Sequence, residues 1–153
     1  MIRPATEADM PAVWALYSDA CDAMLGTPYD CEWVMGVHPT REGLLASVRA
    51  GNLFVACESD GSATKDGATS SLLGAYVLNG EQTSGYENAA WPVDARPDEV
   101  AVIHLLVTAT QARGRGVARS MLAHAAQVAR ARGARVIRLD AFTNNIPALT
   151  LYS

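Results

Sequence analysis

The sequence predicts an α+β fold of mixed α/β character: one mixed central sheet with antiparallel strands in its N-terminal part, a parallel βαβ pair after them, and helices on both faces. Three observations carry this. Two β-rich runs, residues 52–58 and 72–78, flank a polar Gly/Ser-rich stretch, as the strands of an antiparallel hairpin do. Residues 100–107 are almost unbroken apolar sequence, as expected of a central strand covered on both faces. An alanine-rich helical pattern and a further β-rich run at 134–142 follow. Strand, helix, strand in that order is a right-handed crossover with a parallel pair.

The elements follow in order from local signals. Residues 2–4 can form a short strand, and Thr6 with Asp9 three positions on makes a variant capping box that opens a helix. Pro11 falls in its first turns, and Val13, Leu16, Tyr17 and Ala20 give it one apolar face. Residues 19–39 read as an irregular, aromatic-bearing segment that could line a site, with a turn at 27–30; residues 40–50 read as a helix closed by Gly51. A long polar loop, 59–71, joins the hairpin strands, and a second long loop, 80–97, carries Tyr86, Trp91 and Asp94. Long loops holding aromatics are often functional, and plain packing of Trp91 is the equal alternative. After Gly116, Val117, Met121, Ala125 and Val128 recur at helical spacing, as do Ala118, Leu122 and Ala129, while Ser120, His124, Gln127 and Arg130 mark a wet side. Gly133 closes this helix. A last helix opens at Asn144-Asn-Ile-Pro, with Pro147 in its first turn.

Size and composition narrow the class. The 153 residues suit one domain, taken as 1–153. The first residues lack the apolar core of a signal peptide, and no apolar run approaches the roughly 18 residues of a membrane span. A soluble, cytoplasmic protein with no membrane partner is expected. Cys21, Cys31 and Cys57 are odd in number and lack C-x-x-C spacing, so they read as reduced packing residues, with neither a disulfide framework nor a metal site. The net charge of -4 is uneven: residues 1–112 hold fifteen Asp and Glu against five Lys and Arg, whereas 113–153 hold seven Arg against Asp140 alone. That asymmetry suggests a polyanionic partner for the C-terminal part and a cationic one for the rest. Arg130, Arg132 and Arg135 are read equally well as solvated faces. No nucleic-acid partner is expected, since the basic residues gather at one turn and helix start and the whole chain is acidic.

The turn between the apolar strand and the long helix is Gln111-Ala-Arg-Gly-Arg-Gly116. Glycines permit φ above zero and close approach of a ligand to the backbone. The first amides of a helix have no internal partners and carry the positive end of its dipole. Arg113, Arg115 and Arg119 add charge and fork-shaped donors. The junction is chemically an anion cradle of a kind suited to a pyrophosphate. It is not a Walker A loop, which needs G-x-x-x-x-G-K-[ST], nor the dinucleotide G-x-G-x-x-G, because residue 119 is arginine. A glycine-rich connection without a ligand is the alternative.

Four stretches, in order, resemble the GNAT family of N-acetyltransferases. They are the opening Ile2-Arg-Pro-Ala-Thr-Glu-Ala-Asp9, the strand ending Ile103-His-Leu-Leu-Val-Thr108, the turn at 111–116, which fits Q/R-x-x-G-x-G/A, and Asn145-Ile-Pro-Ala-Leu-Thr-Leu-Tyr152, which fits N-x-x-A-x-x-L-Y. The resemblance implies the GNAT acyl-CoA N-acyltransferase fold, acetyl-CoA as co-substrate, no metal, and transfer of acetyl to a primary amine of a small molecule or peptide by direct attack. It implies further that backbone groups of Leu106, Val107 and Thr108 bind the pantetheine arm. After Gln111, the amides of Arg113, Gly114, Arg115, Gly116, Val117 and Ala118, with Arg119 and Ser120, would hold the pyrophosphate. Asn145 would touch the pantetheine region, and Tyr152 would protonate the departing thiolate, unless it is a core tyrosine. His104 stands where some members carry a histidine used as base, directly or through water, although a lone histidine in a buried strand is usually structural. Glu99 is the second candidate base, and many members need only a chain of waters.

One departure follows from the same resemblance. In the family the helix bearing the tyrosine continues into two more strands, whereas this sequence stops one residue past Tyr152. The expectation is a C-terminally truncated domain; an edge supplied by another chain, as in a homodimer, and an unusually open acceptor site are the alternatives. Determinants of the acceptor are expected at 21–39 and 81–98, and the acidic N-terminal part loosely fits a cationic amine. The rival reading is a non-catalytic sensor or interaction module that binds CoA or acyl-CoA.

Overall fold

The computed structural model describes residues 1–28, 30–58, 72–82, 86 and 89–139. The loop 59–71 and the expected last helix, with Asn145 and Tyr152, lie outside these residues. Strand β1 (Ile2–Pro4) pairs antiparallel with β2 (Leu53–Ala56), β2 with β3 (Gly74–Asn79), and β3 with β4 (Val100–Thr108). Strand β5 (Val136–Arg138) lies parallel to β4, giving the mixed five-stranded order β1-β2-β3-β4-β5. Every residue of β2 is buried, and so is β3 up to its last residue, which is why both runs lack polar alternation. The strand expected at 134–142 starts later, because Ala134 still belongs to the exit from the preceding helix, its amide donating to the Ala129 carbonyl at 2.9 Å.

Helix α1 (Met10–Met24) follows a 3₁₀ turn at Glu7–Asp9, where the Thr6 amide donates to Asp9 Oδ2 at 2.8 Å. The helix runs five residues past Asp19, where the sequence suggested irregular chain, because Ala20 and Met24 continue the buried stripe begun by Val13, Leu16 and Tyr17. Helix α2 (Arg41–Arg49) is capped by Thr40, whose hydroxyl accepts from the Gly43 amide at 3.0 Å. The two helices pack on each other and cover one face of the sheet.

Helix α3 (Val117–Ala131) covers the other face, burying Met121, Ala125 and Ala129. It sits close: a Cβ on Gly74 would lie 2.7 Å from the Val107 carbonyl oxygen and 2.8 Å from Met121 Cε. Gly133, at φ 86°, ends the helix, with the Gly133 and Ala134 amides returning to the Arg130 and Ala129 carbonyls. Two residues read as wet faces serve the fold. His124 packs edge-on against Phe54, with Nδ1 2.7 Å from the Tyr76 hydroxyl, and burial holds it below the ordinary histidine pKa. Arg132 donates to Asn52 Oδ1 and to the Gly51 carbonyl, each at 2.9 Å, and lies over the Phe54 ring. In the second long loop, Tyr86 and Trp91 meet edge to face at 5.0 Å and pack on Val100 and Val102.

Candidate active site

The centre of the site is an irregularity in β4. Ala75 pairs with Val107, and Val77 with His104, so Leu105 and Leu106 stand opposite Tyr76 alone. Two residues against one make a β-bulge, and Leu105 takes φ 53°, in the left-handed region that costs a residue with a Cβ about 1 kcal/mol. The Tyr17 hydroxyl holds this geometry by donating to the Leu105 carbonyl at 2.7 Å. Burial pushes the Tyr17 phenol far up, so it stays a donor at neutral pH. Sequence periodicity finds Tyr17 as core but carries no signal for this bond, which spans 88 positions. The bulge re-aims the backbone of Leu106, Val107 and Thr108, of which Val107 is buried and the other two are half-buried.

Beyond Thr108 the chain makes a 3₁₀ turn at Thr110–Ala112 and then enters α3. Gly114 and Gly116 have φ 80° and 77°, with open space where a Cβ would stand. Their need is conformational. No side chain caps α3 at Gly116, and the Ser120 amide is the first to turn back into the helix, onto the Gly116 carbonyl. The amides ahead of it thus present the positive end of a 15-residue helix. Gln111, Arg113, Arg115, Arg119 and Ser120 are exposed around this turn, with Val117 and Ala118 half-buried. Arg115 pairs with Glu58 at 3.1 Å, an exposed contact that holds the Glu58 carboxyl below its usual range. Arg119 makes no ion pair among the described residues.

The two candidate bases sit differently. His104 is half-buried, one residue before the bulge, with Nε2 2.8 Å from Asn79 Oδ1. That oxygen also accepts from the Glu81 amide at 2.9 Å, so His104 Nε2 must be the donor. The neutral ring therefore carries its proton on Nε2 and its lone pair on Nδ1. Glu99 precedes β4 by one residue and lies about 20 Å from Leu105 at about 3.3 Å per residue. Its carboxylate accepts from the Arg96 amide at 3.2 Å and pairs with Arg96 and Arg135, each at 3.1 Å. The Arg96 amide and the Arg135 guanidinium hold it below the glutamate range, which suits a structural anion better than a base. The structure therefore sets His104 directly beside the bulge, runs the bulged strand on into the glycine turn, and sets Glu99 apart; Asn145 and Tyr152 fall outside the described residues.

Residues 63–153 match the family model of the acetyltransferase (GNAT) family. The chain belongs to this family. Among solved structures with the same fold, a Staphylococcus aureus Mu50 protein provisionally named an acetyltransferase is 26% identical at TM-score 0.70, covering 99% of this chain and 87% of that one. A ribosomal-protein-alanine N-acetyltransferase from Brucella melitensis is 24% identical at TM-score 0.62, covering 99% of this chain and 80% of that one. Rv2747 from Mycobacterium tuberculosis, in complex with CoA and NLQ, is 17% identical at TM-score 0.61, covering 98% and 69%. No curated protein matches the sequence. The mixed five-stranded sheet is thus the sheet of a GNAT acetyltransferase, and acetyl transfer is the chemistry of that family.

Proposed function

We propose that this GNAT chain is an acetyl-CoA-dependent N-acetyltransferase acting on a primary amine. The observation that carries the reading is the continuity of bulge, left-handed glycine turn and uncapped helix start from Leu105 to Gly116. The donor set fits a CoA-type ligand: the amides of Gly114, Gly116, Val117 and Ala118, with the Arg119 guanidinium and the Ser120 hydroxyl, suit a pyrophosphate, while those of Arg113 and Arg115 already donate to the Thr110 and Ala112 carbonyls at 3.3 Å; the backbone of Leu106 to Thr108 suits an amide-rich arm. Rv2747, of the same fold, carries CoA in its structure. Acetyl-CoA would supply an activated thioester; the chain's residues supply the rest. A bulge amide can polarise the carbonyl as charge develops on its oxygen. His104 takes the proton that the ammonium must lose before the amine attacks, directly or through water. Tyr152 returns a proton to the thiolate as the carbon–sulfur bond breaks, and Asn145 contacts the arm; both roles rest on the motif alone.

Incubating the protein with acetyl-CoA and a panel of primary amines, and following free thiol, tests this. Thiol release should require both substrates, and His104→Gln should slow it at pH 7 by about 100-fold or more. No thiol above background with any amine would overturn the enzyme reading. Calorimetric CoA binding without thiol release would replace it with the binding-module reading.

A further inference from the structure

On the face of β4 that carries His104 lies a buried cation with no counter-charge among the described residues. Arg138 is 7% exposed and pairs in register with Val102, which in turn faces Asn79, the partner of His104. One face of its guanidinium lies on the Trp91 ring, 4.4 Å from the centroid, and Nη1 donates to Gln82 Oε1 at 2.9 Å. Nε is buried and has no acceptor among the described residues. Among the described residues no carboxylate reaches this guanidinium, whereas Arg3 meets Asp9 and Arg135 meets Glu99. A buried cation without an anion is costly, and a buried donor without an acceptor adds to that cost. Trp91 occupies a face of the fork and a neutral amide occupies one tip, which leaves the Nε edge. Two parallel bonds from that edge match the two oxygens of a carboxylate.

We infer that Arg138 binds a carboxylate carried by the acceptor, so that the substrate class is an amine with a free carboxylate rather than a polycation. This rests on the reading of the His104 face as the acceptor side. Val102 and the bulge are about 10 Å apart along the strand, a span suited to an amine and a carboxylate several bonds apart, as in an ω-amino acid or a dipeptide. It runs against the acidic N-terminal composition, which by itself suggests a cationic acceptor. Composition averages over the surface, while Arg138 is a located charge that pairs with Val102, two strand positions from the candidate base.

The test is a series of ω-amino acids and dipeptides, each beside its C-terminal amide, which removes the charge and little else. In thiol release the acids should exceed their amides in kcat/KM by at least about tenfold, and Arg138→Gln should bring the ratio to near one. Trp91, in contact with Arg138, gives a second readout that needs no acetyl transfer. Titration with the acids, and not the amides, should change tryptophan emission saturably, and Trp91→Phe should abolish that change. Acid and amide behaving alike in both readouts would overturn the inference, as would an acid preference that survives in Arg138→Gln. The acid-against-amide comparison on the unaltered protein stands even if Arg138→Gln does not fold. Thiol release indifferent to the carboxylate sinks this inference and spares the enzyme reading; an acid-specific Trp91 response without thiol release does the reverse.

Discussion

At the β1 edge, Asp9 is fully buried and accepts from the Arg3 guanidinium at 2.7 and 2.9 Å and from the Thr6 amide at 2.8 Å. At the β5 edge, Arg138 is nearly as buried, but among the described residues it donates to one neutral oxygen and Nε has no acceptor. Both corners bury a charge next to the sheet. The first is satisfied by its own neighbours and ties β1 to the start of α1; the second has no carboxylate among the described residues, and an anion is the chemistry that would complete it. Burial of a charge is thus no guide to its role until its partners are counted.

The contrast is broken most severely at Asp9. Asp9→Asn takes the carboxylate from Arg3 and should lose about 3 kcal/mol of stability at pH 7, read as a lower urea midpoint. Burial alone pushes the Asp9 carboxyl up, but the hydrogen bonds from Arg3 and Thr6 outweigh it and hold it below its ordinary value. A lowered folded pKa means that the contribution is full above the unfolded carboxylate value near 3.9 and disappears as pH falls through the folded one. The unaltered protein should therefore weaken below about pH 4, and the asparagine variant should be flatter there. Equal midpoints for the two proteins would erase the distinction between the corners.

Between the corners, two glycines measure how the shared frame is held. Gly74→Ala puts a methyl against the Val107 carbonyl, which cannot yield, and Met121 Cε, which can. The loss should be about 2 kcal/mol. Gly116→Ala meets open space, so only the φ of 77° is strained, and the loss should be nearer 1 kcal/mol. Gly116→Asn should recover part of it, since asparagine tolerates the left-handed region, whereas Gly74→Asn should be worse than alanine. Thermal melts of the four variants check the order; a Gly74→Ala as mild as Gly116→Ala would mean that α3 does not sit on β3 as described.

What was legible in the sequence was local. The Thr6–Asp9 box, the apolar run of β4, the glycine turn and Gly133 each state their conformation within a few residues, and each stands where expected. The extent of α1 was hidden because Asp19 and Asp22 lie outside its apolar stripe, while Ala20 and Met24 continue it. The bulge was not legible: Leu105 looks like its neighbours, and what sets it apart is a hydroxyl from Tyr17. His104 was visible as the one ionisable residue in an apolar strand, but its tautomer is set by Asn79, 25 positions away. Arg132 and Arg138 both resemble surface cations in sequence. Only the return of Phe54 to one and Trp91 to the other gives them their roles.

The smallest expected effect on stability is at Arg138, and its sign carries the argument. If the guanidinium served the fold as Asp9 does, Arg138→Met would cost several kcal/mol, as breaking a satisfied buried pair does. With no carboxylate to lose and no acceptor for Nε among the described residues, methionine removes a desolvated charge and a surplus donor, which offsets the lost bond to Gln82 and the lost cation on Trp91, and it keeps an apolar stem against that ring. The melting temperature should therefore stay within about 2 °C of the unaltered protein or rise, because 1 kcal/mol shifts a domain of this size by only a few degrees. A fall of 10 °C or more would mark Arg138 as a structural cation, and its buried guanidinium would then need no ligand to explain it. An unchanged or raised melting temperature, together with loss of the carboxylate preference, would show that this chain carries the cost of the unpaired charge for the sake of what binds there.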